Sequence, residues 1–395
     1  TPKHMFDNRI CLVVSLVISL WANTSFSFNT GLLSVSGKLL GASKGAAGQI
    51  GSSGKATTLK MTAKAPNGRS TALEVANYFN ADLSDKTAVV TGASSGIGLE
   101  TCKVLASKGC RVVMCCRNKQ AGLDAIEAEI KAPGLGGYTV LDPDLEVVAL
   151  DLADLESVRD AARQILASES RIDFLVNNAG VMAPPLSYTK QGFELQMGTN
   201  HHGHFLLTAE LLPLLKSQSA PARVVTVASI AHEQFGESLD VSDMHFRGGR
   251  TYAKWEAYGA SKLANILFTR SLHKRFLAEP DAQLTAHAVH PGVISTKLWR
   301  HQRSALTWFV TTILARVGYA SNEAKSIPQG AATTLYACLA PELQGLRGGA
   351  YLADCKVATP SAKALDISVA EELWEVTDKE IAAALEGKER VAAPS

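Results

Sequence analysis

The chain has 395 residues, 46% of them hydrophobic and 31 of them glycine, which is the composition of a globular α/β protein and not of a disordered or fibrous one. A formal net charge of +2 is near balance and calls for no nucleic-acid partner. Seven cysteines, an odd total without a CxxC pair, argue against a disulfide framework and against a cysteine-based zinc site.

The first 80 residues differ from the rest. Ile10 to Ala22 is an apolar run of signal-peptide length preceded by Arg9, and Ser25-Phe26-Ser27 places small residues at the −3 and −1 positions of a cleavage before Phe28. From Phe28 to Leu73 there is no Asp or Glu, while Lys38, Lys44, Lys55, Lys60, Lys64 and Arg69 stand among many Ser, Thr, Gly and Ala. Residues 1–80 therefore read as a targeting leader, a signal peptide over about residues 5–27 and a transit-like segment over about 28–73. This resembles the two-part leader of proteins imported into secondary plastids and predicts a plastid location. The alternative is a signal anchor on the endoplasmic reticulum followed by a linker.

Residues 81–395 alternate short apolar strands with amphipathic helices. Strands are predicted at Thr87–Thr91, Arg111–Cys115, Glu146–Leu150, Phe174–Asn177, Arg223–Ala228, Leu284–Val289 and Gly349–Leu352. Helices are predicted at Ile97–Ser107, Ala121–Lys131, Leu155–Ser168, Leu195–Leu215, Glu256–Phe276 and Gly330–Leu339. Right-handed crossovers then give one Rossmann-type domain, a doubly wound parallel sheet of about seven strands with its ligand crevice at their carboxyl ends. The adjacent Cys115 and Cys116 read as buried strand residues.

The first predicted strand runs into Thr91-Gly92-Ala93-Ser94-Ser95-Gly96-Ile97-Gly98, a GxxxGxG turn that opens a helix. Glycine permits the tight turn and lets backbone N–H groups approach a pyrophosphate at the positive end of the helix. At the end of the second strand an acidic residue would bind a ribose 2′-OH and an arginine a 2′-phosphate. This chain has Arg117 there and no carboxylate, so NADP(H) is favoured. Asp151-Leu152 ends the third strand, where a carboxylate can meet an adenine amino group, and Asn178-Ala179-Gly180 ends the fourth, beside the ribose.

Tyr258 and Lys262 stand at i and i+4 on one helix face. Together with Ser229 at a strand end they can reduce a carbonyl. The phenol supplies the proton, the ammonium eases its release, and the serine hydroxyl orients the carbonyl oxygen. TGASSGIG, NNAG, Asn200, Ser229, YGASK and His290-Pro291-Gly292 follow the order and spacing of the short-chain dehydrogenase/reductase family. The resemblance spans about Leu83 to Leu385. NNAGVMAPP, TNHHGHFLLT and the stretches HPGVISTKL and SIPQGAATTLYACL are most similar to its retinol dehydrogenase-like branch, which includes a plant dehydrogenase associated with import at the inner chloroplast envelope. Protochlorophyllide oxidoreductase is a more distant relative, with a longer insertion before its tyrosine.

The resemblance implies an oxidoreductase acting on the CH–OH group of alcohols. It implies that Asn200 holds a water linking Lys262 to solvent, that Lys262 bonds the nicotinamide ribose, and that Pro291, Gly292, Val293 and Thr296 complete the cofactor site with Ser94, Ser95 and Ile97. Selectivity would come from Val181–Gly192, Ile230–Trp255 and Ser295–Ser326. The last contains the uncharged run Leu306 to Leu314, suited to a lid over a lipophilic substrate, a membrane surface or a contact between copies. An NADP(H)-sensing scaffold at a plastid envelope and a protochlorophyllide reductase-like enzyme are the alternative functions. His202 stands where relatives commonly carry an apolar residue. Because adjacent His201 and His202 diverge by about 100° on a helix and no acidic neighbour is visible in sequence, no metal is expected.

Overall fold

Parallel pairing of one apolar run with the next organises the computed structural model, which describes residues 64–131, 140, 142–216, 221–277, 284–294, 324–344, 346 and 349–387. Eight strands form one sheet: β1 (Thr87–Thr91), β2 (Arg111–Cys116), β3 (Leu145–Ala149), β4 (Phe174–Asn177), β5 (Ala222–Val227), β6 (Leu284–His290), β7 (Tyr351–Ala353) and β8 (Lys356–Ala358). Their order is β3-β2-β1-β4-β5-β6-β7-β8, parallel up to β7. The chain winds outward from β1 in both directions, so the crevice opens where β1 and β4 part. The predicted Rossmann-type sheet is present, with one strand added. Asp354 and Cys355, at φ 55° and 57°, make a two-residue turn of left-handed residues that folds β8 back antiparallel on β7.

Central strands are buried on both faces, as their unbroken apolar runs require. Helices α1 (Ala72–Tyr78), α2 (Gly96–Ser107), α3 (Lys119–Ala125) and, later in the chain, Ile327–Leu339 supply or border the core on one face. Helices α4 (Leu155–Ser168), α5 (Gly203–Lys216) and α6 (Lys254–Leu277) cover the other. With Ile327–Leu339 as α7, the last helix is α8 (Ile367–Leu385). Capping chemistry sets the ends: Asp154 accepts the Glu156 N–H at the start of α4, and Ser326 forms a capping box with Gln329 ahead of α7. Within α4 the buried residues Leu155, Val158, Ala161, Ala162 and Ile165 follow the helical period.

The helices from Ala121 and from Leu195 depart from regular α geometry. Ile126–Ile130 and Gly198–His202 are π turns, the second leading from a short turn at Leu195–Met197 into α5 and carrying Asn200. Cys115 and Cys116 are buried in β2 as expected; burial raises both thiols, Cys116 to about 11, which leaves them protonated at neutral pH. Among the described residues no helix is long and apolar enough to cross a membrane.

Within the described chain, residues before 81 also belong to the fold. The Thr71/Glu74 capping box starts α1, and Ala72, Val75 and Ala76 are fully buried in the same core as β1 and α7. The compact unit that carries the sheet runs from Thr62. A chain starting at Ala81 is expected to be about 3–5 kcal/mol less stable than one starting at Thr62, from the apolar burial lost and the cavity left over α7. Urea unfolding of the two compares them directly; equal midpoints would show that α1 adds nothing.

Candidate active site

The glycine turn is built by close approach. Gly92 has φ +67°, and a Cβ there would lie 2.9 Å from the Ala179 Cα. A Cβ on Gly98 would lie 2.5 Å from both the Gly92 carbonyl and the Asn178 amide nitrogen. Only glycine lets α2 start this near β1 and β4. Ser95 caps α2 in extended conformation without a side-chain hydrogen bond, so the first-turn N–H groups, Gly96, Ile97 and Gly98 among them, are not taken up by the cap. A bare cradle of amides at a positive helix end fits the pyrophosphate of a dinucleotide. Ser94, beside it, hydrogen-bonds the Cys116 thiol.

Across the crevice, Thr91 Oγ1 accepts the N–H groups of Asn178 and Ala179, each at 2.9 Å, and lies 2.8 Å from His204 Nε2. His204 Nδ1 is 2.9 Å from the Asn200 carbonyl, which can only accept. The hydrogen is therefore on Nδ1, and Nε2 receives the Thr91 hydroxyl. Burial holds this imidazole down to about 4, so it is neutral at pH 7. Asn178 spends its side-chain amide on the Thr91 carbonyl at 2.8 Å, strapping the Asn178-Ala179-Gly180 turn to the glycine turn.

Arg117 is exposed just past β2, and Asn118 caps α3 through the Ala121 N–H at 3.2 Å. Asp151 is partly buried, with Oδ1 accepting the Ala153 N–H at 3.0 Å, and Leu152 is buried. Past β6 come Pro291, Gly292 and the exposed Val293, whose carbonyl accepts the Lys325 N–H at 2.9 Å. Lys325 Nζ in turn meets Asp354 at 2.6 Å. Thr296 and most of the Ser295–Ser326 segment, including the apolar run, lie outside the described residues.

Tyr258 and Lys262 sit one turn apart on α6, both buried, with Nζ 5.8 Å from the phenol ring centre. Burial pushes the phenol up to about 12 against the opposing hydrogen bond from Ser229, and brings the lysine down to about 8. Lys262 Nζ donates to the Val227 carbonyl at 2.9 Å. Asn200 is fixed from both ends of its side chain: Oδ1 accepts the Val181 N–H at 2.8 Å, and Nδ2 donates to Val181 O at 3.0 Å and Ser261 Oγ at 2.9 Å. A Cβ on Gly180 would lie 3.0 Å from Asn200 Oδ1 and 3.6 Å from Lys262 Nζ, so Asn200, Gly180 and Lys262 share one corner. Beside the phenol, Met182, Ala183 and Ala231 form an apolar cluster with Phe235 and Trp255.

His202 has the acidic partner that sequence spacing could not show. Glu380, on α8, accepts from His202 Nε2 at 2.8 Å and from His245 Nε2 at 3.2 Å, while Phe193 stacks on both rings. His245 Nδ1 receives the Glu194 N–H at 3.1 Å, so its hydrogen is on Nε2. That hydrogen makes the nitrogen a donor to the carboxylate, whereas a metal ligand needs the lone pair there. Despite burial, the two imidazole donors hold the Glu380 carboxyl well below the usual carboxylate range. Next to it, His201 Nε2 lies 3.0 Å from Thr377 Oγ1, also on α8. Sequence reasoning missed His204 and His232 as contributors, because their partners come from distant segments.

A dinucleotide crevice with a Ser–Tyr–Lys set at its open end defines an α/β nicotinamide-nucleotide oxidoreductase. Residues 86–241 match the short chain dehydrogenase family. The chain is 42% identical to mouse retinol dehydrogenase 12 over 298 residues, covering 75% of this chain and 87% of that protein. It is 38% identical to the chloroplastic short-chain dehydrogenase TIC 32 B of Brassica napus over 302 residues, covering 75% and 89%. A Pseudomonas aeruginosa RhlG–NADP active-site complex superposes with a TM-score of 0.52 at 26% identity, covering 70% of this chain and 96% of that one. The chain belongs to the short-chain dehydrogenase/reductase family, in its retinol dehydrogenase-like branch.

Proposed function

We propose that the protein interconverts a carbonyl and an alcohol on a lipophilic substrate with NADP(H). The observation that carries this reading is the meeting of the Ser229-bonded Tyr258 phenol with the apolar cluster of Met182, Ala183, Ala231, Phe235 and Trp255. A chain carbon seated on that cluster would bring its carbonyl to the serine and the phenol, and burial of the hydrocarbon would supply the affinity. The similarity to retinol dehydrogenase 12 supports the same substrate class. A sensing scaffold has no use for a proton donor, and no observation favours it.

A bound nicotinamide would supply or receive the hydride, and the chain's own residues would handle the oxygen. Ser229 Oγ accepts the Ala231 N–H at 3.2 Å, so its one hydrogen, directed to Tyr258 in the free protein, would turn to a bound carbonyl oxygen. As negative charge develops there, Tyr258 donates its proton in the reductive direction and accepts it in the oxidative one. The neighbouring Lys262 ammonium stabilises the phenolate so formed. Asn200 and Gly180 define the corner from which a water would re-supply the proton.

Support for NADP(H) over NAD(H) comes from Arg117, which stands exposed beside the capped start of α3 with no carboxylate on the turn, and from the NADP complex of RhlG. Support for a plastid comes from the acidic-free leader and from the chloroplastic relative. A fluorescent fusion of residues 1–61 should enter the organelle; retention in the endoplasmic reticulum would replace that location with the reticulum.

Tyr258→Phe removes the proton donor and leaves the nucleotide crevice intact. Turnover of NADPH with a panel of retinoid and fatty aldehydes should fall by a factor on the order of 100 or more, with cofactor affinity unchanged. Activity within a few-fold of the parent would sink this mechanism. Arg117→Ala should raise the KM for NADPH about tenfold or more and leave that for NADH nearly unchanged, because only the former carries the 2′-phosphate. Equal weakening of both would make Arg117 a structural residue.

A further inference from the structure

His232 lies three residues after Ser229, in the short helix Ala231–Gln234, and is fully buried. Its two ring nitrogens face different segments. Nε2 is 3.1 Å from the backbone nitrogen of Ser361, which has only a hydrogen to offer. Nε2 therefore carries the lone pair, and the ring hydrogen sits on Nδ1, 2.6 Å from the Ser229 carbonyl. The same carbonyl also accepts the backbone N–H of His232 at 3.1 Å. Burial lowers the imidazole and keeps it neutral, the form these two bonds need, and the Glu233 carboxylate at 3.7 Å is beyond hydrogen-bond range. From β7, Tyr351 packs against the ring with centroids 5.1 Å apart.

Ser361 belongs to the turn that follows β8. Two residues later, Lys363 Nζ donates to the carbonyls of Glu237 and Leu239, both at 2.9 Å. The turn thus grips the loop between β5 and α6 at two places, once through His232 and once through Lys363. Ser229 is left with little freedom: its carbonyl takes two donors from His232, and its hydroxyl oxygen takes the Ala231 N–H. What remains is the hydroxyl hydrogen, directed to Tyr258.

We infer that His232 is a positioning residue that, braced by the Ser361 amide, holds Ser229 in the orientation that presents its hydroxyl to the Tyr258 phenol and the substrate oxygen. The inference rests on the carbonyl–alcohol reading for its kinetic consequence but not for its geometric one. A residue that merely filled this space would be replaceable by any ring of equal size. A two-ended spacer is replaceable only by a side chain that keeps one donor and one acceptor.

The full chain is compared with His232→Phe and His232→Gln, with Tyr258→Phe as the reference for the phenol. Measured are kcat and KM with NADPH and an aldehyde panel, the Kd for NADPH from protein fluorescence, the Tm, and the Tyr258 phenolate titration followed by ultraviolet difference spectra with NADP+ bound. His232→Phe should lower kcat by roughly 10- to 100-fold, leave KM and the NADPH Kd within about threefold, and move the Tyr258 titration to higher pH. His232→Gln should recover most of both effects. Parent-like kcat and Tyr258 titration in His232→Phe would overturn the inference. So would a joint loss of kcat, cofactor affinity and Tm that His232→Gln does not relieve, since that is the signature of core packing alone. If the parent reduces no aldehyde of the panel, the proposed reaction fails, and the Tyr258 titration in the two variants still decides the role of His232.

Discussion

One hydroxyl joins the two halves of the crevice. Thr91 Oγ1 stands where β1 and β4 diverge, takes two backbone hydrogens from the β4 turn and gives its own to His204. Loss of that oxygen would strand two partly buried N–H groups, each costing about 1–3 kcal/mol. It would also release His204, whose other nitrogen holds the carbonyl of Asn200. The approach of Gly92 to Ala179 and of Gly98 to Asn178 is held by the same clasp together with the Asn178 side-chain amide on the Thr91 carbonyl. A line of hydrogen bonds therefore runs from the glycine turn to the π turn that carries Asn200.

Burial at the other end of the crevice works on two opposite charges. It raises the phenol of Tyr258 and lowers the ammonium of Lys262, so in the closed protein each ionised form alone is costly. The only hydrogen bond described for Nζ goes to a neutral carbonyl, Val227 O, which leaves the positive charge without a carboxylate to satisfy it. In the proposed reaction a developing oxyanion or phenolate nearby would relieve that cost. Under that proposal the field would be in place before the reaction begins, the form of electrostatic stabilisation that needs no reorganisation in the transition state.

Much of this was readable from residue pattern. Apolar runs located seven strands to within about two residues, since strands buried on both faces have no other way to look. The glycine turn, Tyr258, Lys262 and Ser229 stood out as candidates because backbone approach and proton transfer restrict residue type tightly, whereas Asn200 was a candidate only through the family resemblance. Two helices were missed although signals existed: Thr71-Ala72-Leu73-Glu74 is a capping box, and Ala370, Leu373, Thr377 and Ile381 keep a helical period after the Asp366 cap. The first was hidden by its hydroxyl-rich surroundings. The histidine partners were not readable at all. Glu380 lies 178 residues beyond His202, and Ser361 lies 129 beyond His232, and no local pattern encodes such pairs.

Those distant pairs share a direction. His201 and His202 fasten the π turn of Asn200 to Thr377 and Glu380 on α8, and His232 fastens the Ser229 turn to the chain just past β8. An apolar residue at position 202 would pack against α8 by shape alone. The imidazole adds a hydrogen bond to an ionised carboxylate shared with His245 and a stacking contact with Phe193, so the helix is held in one register. Desolvation of the Glu380 carboxylate offsets part of that gain, which makes the contact better suited to specifying geometry than to adding stability. The glycine turn, Asn200 and Ser229 come early in the chain, yet the segments bonded to the turns of the last two come late in it. The hydrogen bonds that anchor the Asn200 turn and the Ser229 turn are thus supplied from α8 and from the chain past β8.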